Sequence, residues 1–295
     1  MSKAPTADTP VCLQAKIRRA LVTAPKLTRT LQAGRAVFHF GPWRHAVRAL
    51  IRAARPPRAE AVAETPPLLQ IDTARVVEAL RADGMAMAGT IAGEVLNPLR
   101  AIIDELPPGE YGEFDAVPEV RALTRCAAAT SVARGYLQAE PELLECNLVV
   151  ARSENPNAAP AKGSQRQFHF DYAGWHSLNL FIYLTDVAET SGAHQVVIGT
   201  HGARHTWDAV RVAIPEQEIF DRFPHRIRTI TGPAGTAFFE DTSAFHRRKV
   251  HRERRVLLNI LYASHRAWSS KGRLVVKYAD FLRSHSASGS NSRPC

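Results

Sequence analysis

From Cys146 onward the chain breaks into short apolar or alternating runs, at residues 146–152, 167–171, 177–184, 195–198, 226–230, 235–239 and 256–262, with Gly, Pro, Asn and Ser between them. A run of this length buries its apolar side only when strands pair and one sheet faces another. The pattern predicts a sandwich or a closed barrel. The half before it reads differently. Asp72 or Thr73 caps a helix carrying Val76, Val77 and Leu80 that stops at Gly84. Residues 85–88 form a candidate first strand, and residues 94–106, 117–124 and 127–138 read as helices.

Chemistry concentrates in His169-Phe170-Asp171. Residues two apart on a strand point to the same side, so His169 and Asp171 project together while Phe168 and Phe170 face away. An imidazole and a carboxylate converging on one cavity supply two members of a 2-His-1-carboxylate facial set, the arrangement of non-haem Fe(II) oxygenases. The bland alternative is a buried, hydrogen-bonded histidine. His251-Arg252-Glu253 has the same form, but lies in the charged run of residues 247–255 and reads as a solvated turn. A third ligand is available in His246, which follows a strand and a turn and lies 77 residues after His169. His201, His205 and His225 occupy polar connections, His176 lies just past Asp171, and His194 is either a strand or a surface residue. Arg255 opens the apolar run 256–262, where a cation needs an anionic partner. Alternation groups Arg255 with Leu257 and Asn259, and Arg254 with Val256 and Leu258. The residues alone leave open which arginine enters the interior.

The formal net charge of +10 sits on one segment: residues 1–60 hold 12 Lys or Arg against Asp8 and Glu60, and the remainder is balanced. Nucleic acid is therefore not an expected partner of the folded body. Residues 1–66 read as a basic arm and linker, 67–283 as the body, and 284–295 as a Ser-rich disordered tail. In the arm, Phe40, Trp43, Val47, Leu50 and Ala54 form one helical face and Arg44, Arg48, Arg52 and Arg55 the other. Such a helix either packs on the body with its arginines in water or lies on an anionic membrane. No run has the length of a membrane span, and Cys12, Cys126, Cys146 and Cys295 are scattered, which fits a reducing, cytoplasmic setting. The polar residues 153–163, beside the presumed site, form a candidate lid.

His169-Phe-Asp171, Ser191-Gly192-Ala193, Ile198-Gly199-Thr200-His201, Gly235…His246 and the Arg–strand–Tyr262-Ala263-Ser264 segment together resemble the phytanoyl-CoA dioxygenase-like family. The resemblance covers about residues 68–270. It implies a mainly β fold with flanking helices, a double-stranded β-helix (jelly-roll, cupin-like) barrel preceded by a helical N-terminal part. It also implies an Fe(II)- and 2-oxoglutarate-dependent dioxygenase that consumes O2 and releases succinate and CO2. By position, His169, Asp171 and His246 would bind iron, Arg255 rather than Arg254 would hold the distal carboxylate of 2-oxoglutarate, and Asn179 would contact the cosubstrate. Where the family has Ser two residues past the distal histidine, this chain has Arg248. Asp171 implies hydroxylation, since related halogenases have a small residue there. Tyr172, Trp175 and His176 follow the motif as candidate contacts to a small-molecule or saccharide substrate. Two other classes compete: a non-catalytic metabolite- or sugar-binding jelly-roll module, and an adaptor acting through the basic arm.

Overall fold

The computed structural model describes residue 34 and residues 37–58, 68–155, 157, 164–171, 173–202, 206–209, 211, 213–265 and 276–288. One sheet contains β1 (Met85–Thr90), β2 (Gly109–Gly112), β3 (Glu142–Ala151), β4 (Ser177–Tyr183), β7 (Thr236–Glu240), β9 (Arg255–Ala263) and β10 (Val276–Lys277). Their order is β1-β7-β4-β9-β3-β2-β10, and every pair is antiparallel except β10 on β2. A second sheet, ordered β6-β5-β8, contains β5 (His194–Val197), β6 (Ile227–Ile230) and β8 (His246–Arg248).

Strand β4 is buried along its whole length because both of its faces are covered. Leu178, Leu180 and Ile182 enter the core beneath the helices, whereas Phe181 and Tyr183 join Phe238, Leu257, Ala193 and Val196 between the sheets. A strand buried on both sides reads as a continuous apolar run, and Ser177–Tyr183 has that texture. This is the expected jelly-roll with flanking helices.

The arm contributes α1 (Arg44–Ala54), and the outer face of the large sheet is covered by α2 (Thr73–Asp83), α3 (Gly93–Asp104), α4 (Pro118–Arg125) and α5 (Ala127–Leu137). Helix α2 starts where the Asp72 carboxylate accepts from Arg75 N, and ends on Gly84 at φ 77°. A Cβ on Gly84 would stand 2.5 Å from His201 Nδ1, so both conformation and space require glycine there. Helices α6 (Thr206–Ala209) and α7 (Glu216–Arg222) follow β5, and α8 (Tyr278–Ser288) follows β10. Helix α8 takes in residues 284–288 of the segment expected to be disordered; residues 289–295 lie outside the described residues. Residues 167–171 do not form the continuous strand expected. Only Phe168 and His169 make bridges, to Ile214 and His246.

The arm helix reverses the expected orientation. Arg44 is buried against the body and Arg48 and Arg55 are half-buried, while Arg52 reaches the body from an exposed position. Arg44 Nη1 donates to Gly202 O at 3.3 Å, and Arg48 Nε donates to Trp175 O at 2.7 Å. Arg52 donates to Gln138 Oε1, and Arg55 pairs with Glu142. Trp43 and Leu50 are instead 43% and 70% exposed. The body presents carbonyls and carboxylates at this place, and those satisfy guanidinium groups rather than alkyl ones. Amphipathic spacing shows that a helix has two faces; the partner decides which turns inward.

Beneath this helix the Asp241 carboxylate is buried and accepts from Tyr136 OH at 2.8 Å. Burial works against its charge, but Arg44, His176 and Arg48 outweigh that and hold its pKa at about 2. A pKa depressed in the folded state stabilises the fold above the unfolded value and loses that contribution as pH falls through the folded value. Asp241→Asn keeps an acceptor for Tyr136 but removes the charge. Urea melts should show it about 2 kcal/mol less stable at pH 7, with the gap closing between pH 4 and pH 2. A gap that did not change with pH would assign the loss to packing.

Candidate active site

The two histidines meet through the backbone. His169 N donates to His246 O at 2.9 Å, and His246 N donates to His169 O at 2.8 Å. This antiparallel bridge sets the imidazoles with centroids 4.4 Å apart. Asp171 is held two residues on, where its N–H donates to Thr242 O at 2.7 Å. Asp171 Oδ2 then lies 3.6 Å from His246 Nε2. One donor atom from each of His169, Asp171 and His246 falls within 4.8 Å of the others. Two donors about 2.1 Å from one metal and at right angles stand about 3 Å apart, so closing onto an ion needs only small side-chain movements.

Each ring is also turned for ligation. His169 Nδ1 lies 2.8 Å from Gln167 O, and His246 Nδ1 lies 3.0 Å from Ala244 O. A carbonyl only accepts, so each Nδ1 carries a proton, which leaves Nε2 as the atom a metal would bind. Burial pushes the His169 pKa down to about 4. Burial also opposes charge on His246, but Asp171 and Glu240 outweigh it and raise its pKa to about 9. A divalent cation would take the place of that proton between the same groups. The donor set therefore fits a resident metal ion.

The register of β9 separates the two arginines. Leu257 packs between the sheets, and Val256 and Leu258 pack beneath the helices. Arg255 follows Leu257 inward. It is 3% exposed, and its guanidinium lies 5.3 Å from the Tyr183 ring centre. Its Nε and Nη2 have no hydrogen-bond partner. Arg254 points the other way and donates to Leu106 O at 3.3 Å and to Ile103 O. An enclosed guanidinium with idle donors is costly unless an anion joins it. Asn179 also faces inward. Its Nδ2 donates to Asn259 Oδ1 at 2.8 Å, and its Oδ1 accepts from Thr242 Oγ1 at 3.1 Å. One amide hydrogen remains for a ligand.

Two other histidines differ from expectation, and a third, His194, takes the strand position that was one of its two expected places. His251, read as part of a solvated turn, is 1% exposed and contacts Arg248 and Glu154, because its bridge to Ser191 folds the charged run against the sheet. His176 packs on the Tyr136 ring at 4.9 Å, and burial pushes its pKa to about 3. It faces the helices. His194 lies between the sheets, stacked 5.4 Å from His246, with Nε2 at 2.7 Å from Glu240 Oε2. Glu240 is fully buried, and its other oxygen stands 3.7 Å from His246 Nδ1. The sequence reading passed over this acid behind the distal histidine. Its signal was present: Glu240 alternates with Phe238, so a charge occupies an interior position of an otherwise apolar strand. Trp175 stacks with Phe38 of the arm at 4.8 Å. Tyr172 and residues 156 and 158–163 of the expected lid lie outside the described residues.

No protein-family model matches the chain, and no curated protein matches it. Solved structures do. EctD from S. alaskensis with bound Fe aligns with TM-score 0.51 and 18% identity, over 76% of this chain and 94% of that one. EvdO2 from Micromonospora carbonacea var. aurantiaca, complexed with 2-oxoglutarate, aligns with TM-score 0.51 and 16% identity, over 67% of this chain and 93% of that one. The apoform of EctD from S. alaskensis aligns with TM-score 0.50 and 19% identity, over 76% and 87%. The chain shares with these proteins a jelly-roll of antiparallel sheets and flanking helices.

Proposed function

We propose that this chain is an Fe(II)- and 2-oxoglutarate-dependent dioxygenase that hydroxylates a small-molecule or saccharide-type substrate and releases succinate and CO2. One observation carries the reading. Two imidazoles whose Nδ1 atoms are engaged by carbonyls and a carboxylate converge inside a jelly-roll whose interior also encloses Arg255 with idle donors. A metal and a carboxylate-bearing ligand answer both features at once. The Fe in one similar structure and the 2-oxoglutarate in another support the same pair of ligands.

In this reading His169, Asp171 and His246 hold the metal and leave positions open on it. Iron, 2-oxoglutarate and O2 together supply the oxidising chemistry, with the cosubstrate decarboxylated to succinate. Arg255 holds the carboxylate remote from the metal, and Tyr183 fixes the guanidinium plane from below. Asn179 contributes its remaining N–H to the cosubstrate. Phe181, Tyr183, Phe238 and Leu257 keep water from the same space. Trp175, tied to the arm by Arg48, is a candidate substrate contact.

Turnover tests the assignment. The iron-loaded chain should convert 2-oxoglutarate to succinate slowly in air without added substrate. Arg255→Ala should weaken 2-oxoglutarate by about 2 kcal/mol, about 30-fold in apparent affinity, whereas Arg254→Ala should leave it unchanged. The opposite pattern would place the wrong arginine in the pocket. A chain that binds 2-oxoglutarate but never forms succinate would be a metabolite-binding module.

The arm supports a peripheral, cytoplasmic contact with an anionic membrane. Trp43 and Leu50 face outward on α1, next to a segment rich in Lys and Arg. Among the described residues no helix is long and apolar enough to cross a membrane. Co-sedimentation with vesicles containing phosphatidylserine should fall severalfold for the Trp43→Ala, Leu50→Ser double variant. Equal partitioning of variant and wild type would remove the membrane from the account.

A further inference from the structure

Strand β8 places one more cation in the interior. Arg247 takes the opposite face of the strand, where its guanidinium lies 4.4 Å from the Phe168 ring centre and donates to Gln195 Oε1 at 2.7 Å. Arg248 therefore shares the inward face with His246. Its cross-strand partner is His194, itself stacked on His246. From there the Arg248 side chain reaches His251 and donates through Nη2 to Glu154 Oε1 at 2.7 Å.

Arg255 lies against the same group. A Cβ built on Gly192 would meet His251 Cβ at 2.7 Å and Arg255 Cδ at 3.4 Å. The His251 and Arg255 side chains thus converge on one glycine, held at φ 80°, and Arg248 touches His251 from the other side. Three guanidinium N–H positions in this group are buried without a partner: Arg248 Nε, Arg255 Nε and Arg255 Nη2. The opposing charge is small. Glu154 is shared among Arg248, Arg166 and His251, and the exposed Glu253 is engaged by Ser191. The group keeps an excess of positive charge beside idle donors, and a carboxylate supplies both the charge and two acceptor atoms.

We propose that Arg248 is a second anion-binding residue of the cosubstrate pocket, acting with Arg255 on the carboxylate of a 2-oxo diacid that lies remote from the metal. This rests on the dioxygenase reading above. The pocket accordingly discriminates for a dianionic 2-oxo acid over a monoanionic one more strongly than Arg255 alone provides. Glu154, which also donates its N–H to His251 O at 2.8 Å, holds Arg248 in place and joins the pocket to the segment that follows β3.

Calorimetric titration of the anaerobic, Fe(II)-loaded full chain tests this with two probes, 2-oxoglutarate and 2-oxobutanoate, which lacks the distal carboxylate. Arg248→Ala should weaken 2-oxoglutarate about tenfold and leave 2-oxobutanoate within twofold. Arg248→Lys should retain most of the 2-oxoglutarate affinity. Thermal melting and Fe(II) stoichiometry establish that each variant is folded, and Arg248→Gln is read in the same way if the alanine variant is not. Unchanged 2-oxoglutarate affinity, or equal losses for both acids, would overturn the role of Arg248. A wild-type chain that binds Fe(II) but neither acid would instead overturn the dioxygenase reading, and the inference with it.

Discussion

The site depends on one pair of backbone hydrogen bonds, those exchanged between His169 and His246. Residues 77 apart in sequence become directly opposed, and an opposed pair has side chains on the same face of its ladder. The jelly-roll creates that opposition by returning the chain through β4, β5, β6 and β7 before β8 meets His169. The turn after β7 completes it. Thr242 O receives the Asp171 N–H, and Thr242 Oγ1 reaches Asn179 on β4. The candidate metal ligands and the candidate cosubstrate contact are thereby tied to the same few residues of backbone.

Around this pair the barrel encloses more charge than a stable core requires. Glu240 and His194 lie behind His246, Arg255 is buried beyond them, and the half-buried Arg248 is the cross-strand partner of His194. Replacing such groups with apolar side chains of similar size often stabilises a protein, so fold stability alone does not account for them. The packing is arranged to carry them. Phe181 and Phe238 flank His194 at 5.4 and 5.5 Å, and Tyr183 OH accepts from His194 N at 3.1 Å while its ring lies under Arg255. The arm follows the same logic on the outside of the sheet, where Arg44 and Arg48 lie over the buried Asp241.

Much of this was legible in the sequence, for local physical reasons. Asp72 and Gly84 bound α2 because an N-cap carboxylate and a left-handed glycine act within a few residues. Strands β4 and β9 were visible because both faces are apolar over their length. The choice between Arg255 and Arg254 needed the strand register, which alternation left ambiguous and the resemblance only favoured. What was missed depends on contacts distant in sequence. The orientation of α1 is set by carbonyls and carboxylates contributed by residues 142, 175, 201 and 202, none of which is visible in the arm itself. His251 sits in a run of charges that reads as solvated, and is buried because Ser191 pairs with it. Residues 167–171 carry strand composition, yet only two of them find a bridge partner.

The central claim is that one metal ion and one 2-oxo acid meet at His169, Asp171 and His246. The most direct test adds Fe(II) and then 2-oxoglutarate to the chain without oxygen and records the visible charge-transfer absorption of the chelate, in wild type and in His246→Ala. The account predicts a band in wild type that is lost in the variant. A folded wild-type chain with no band, or a variant with the same band, would contradict it.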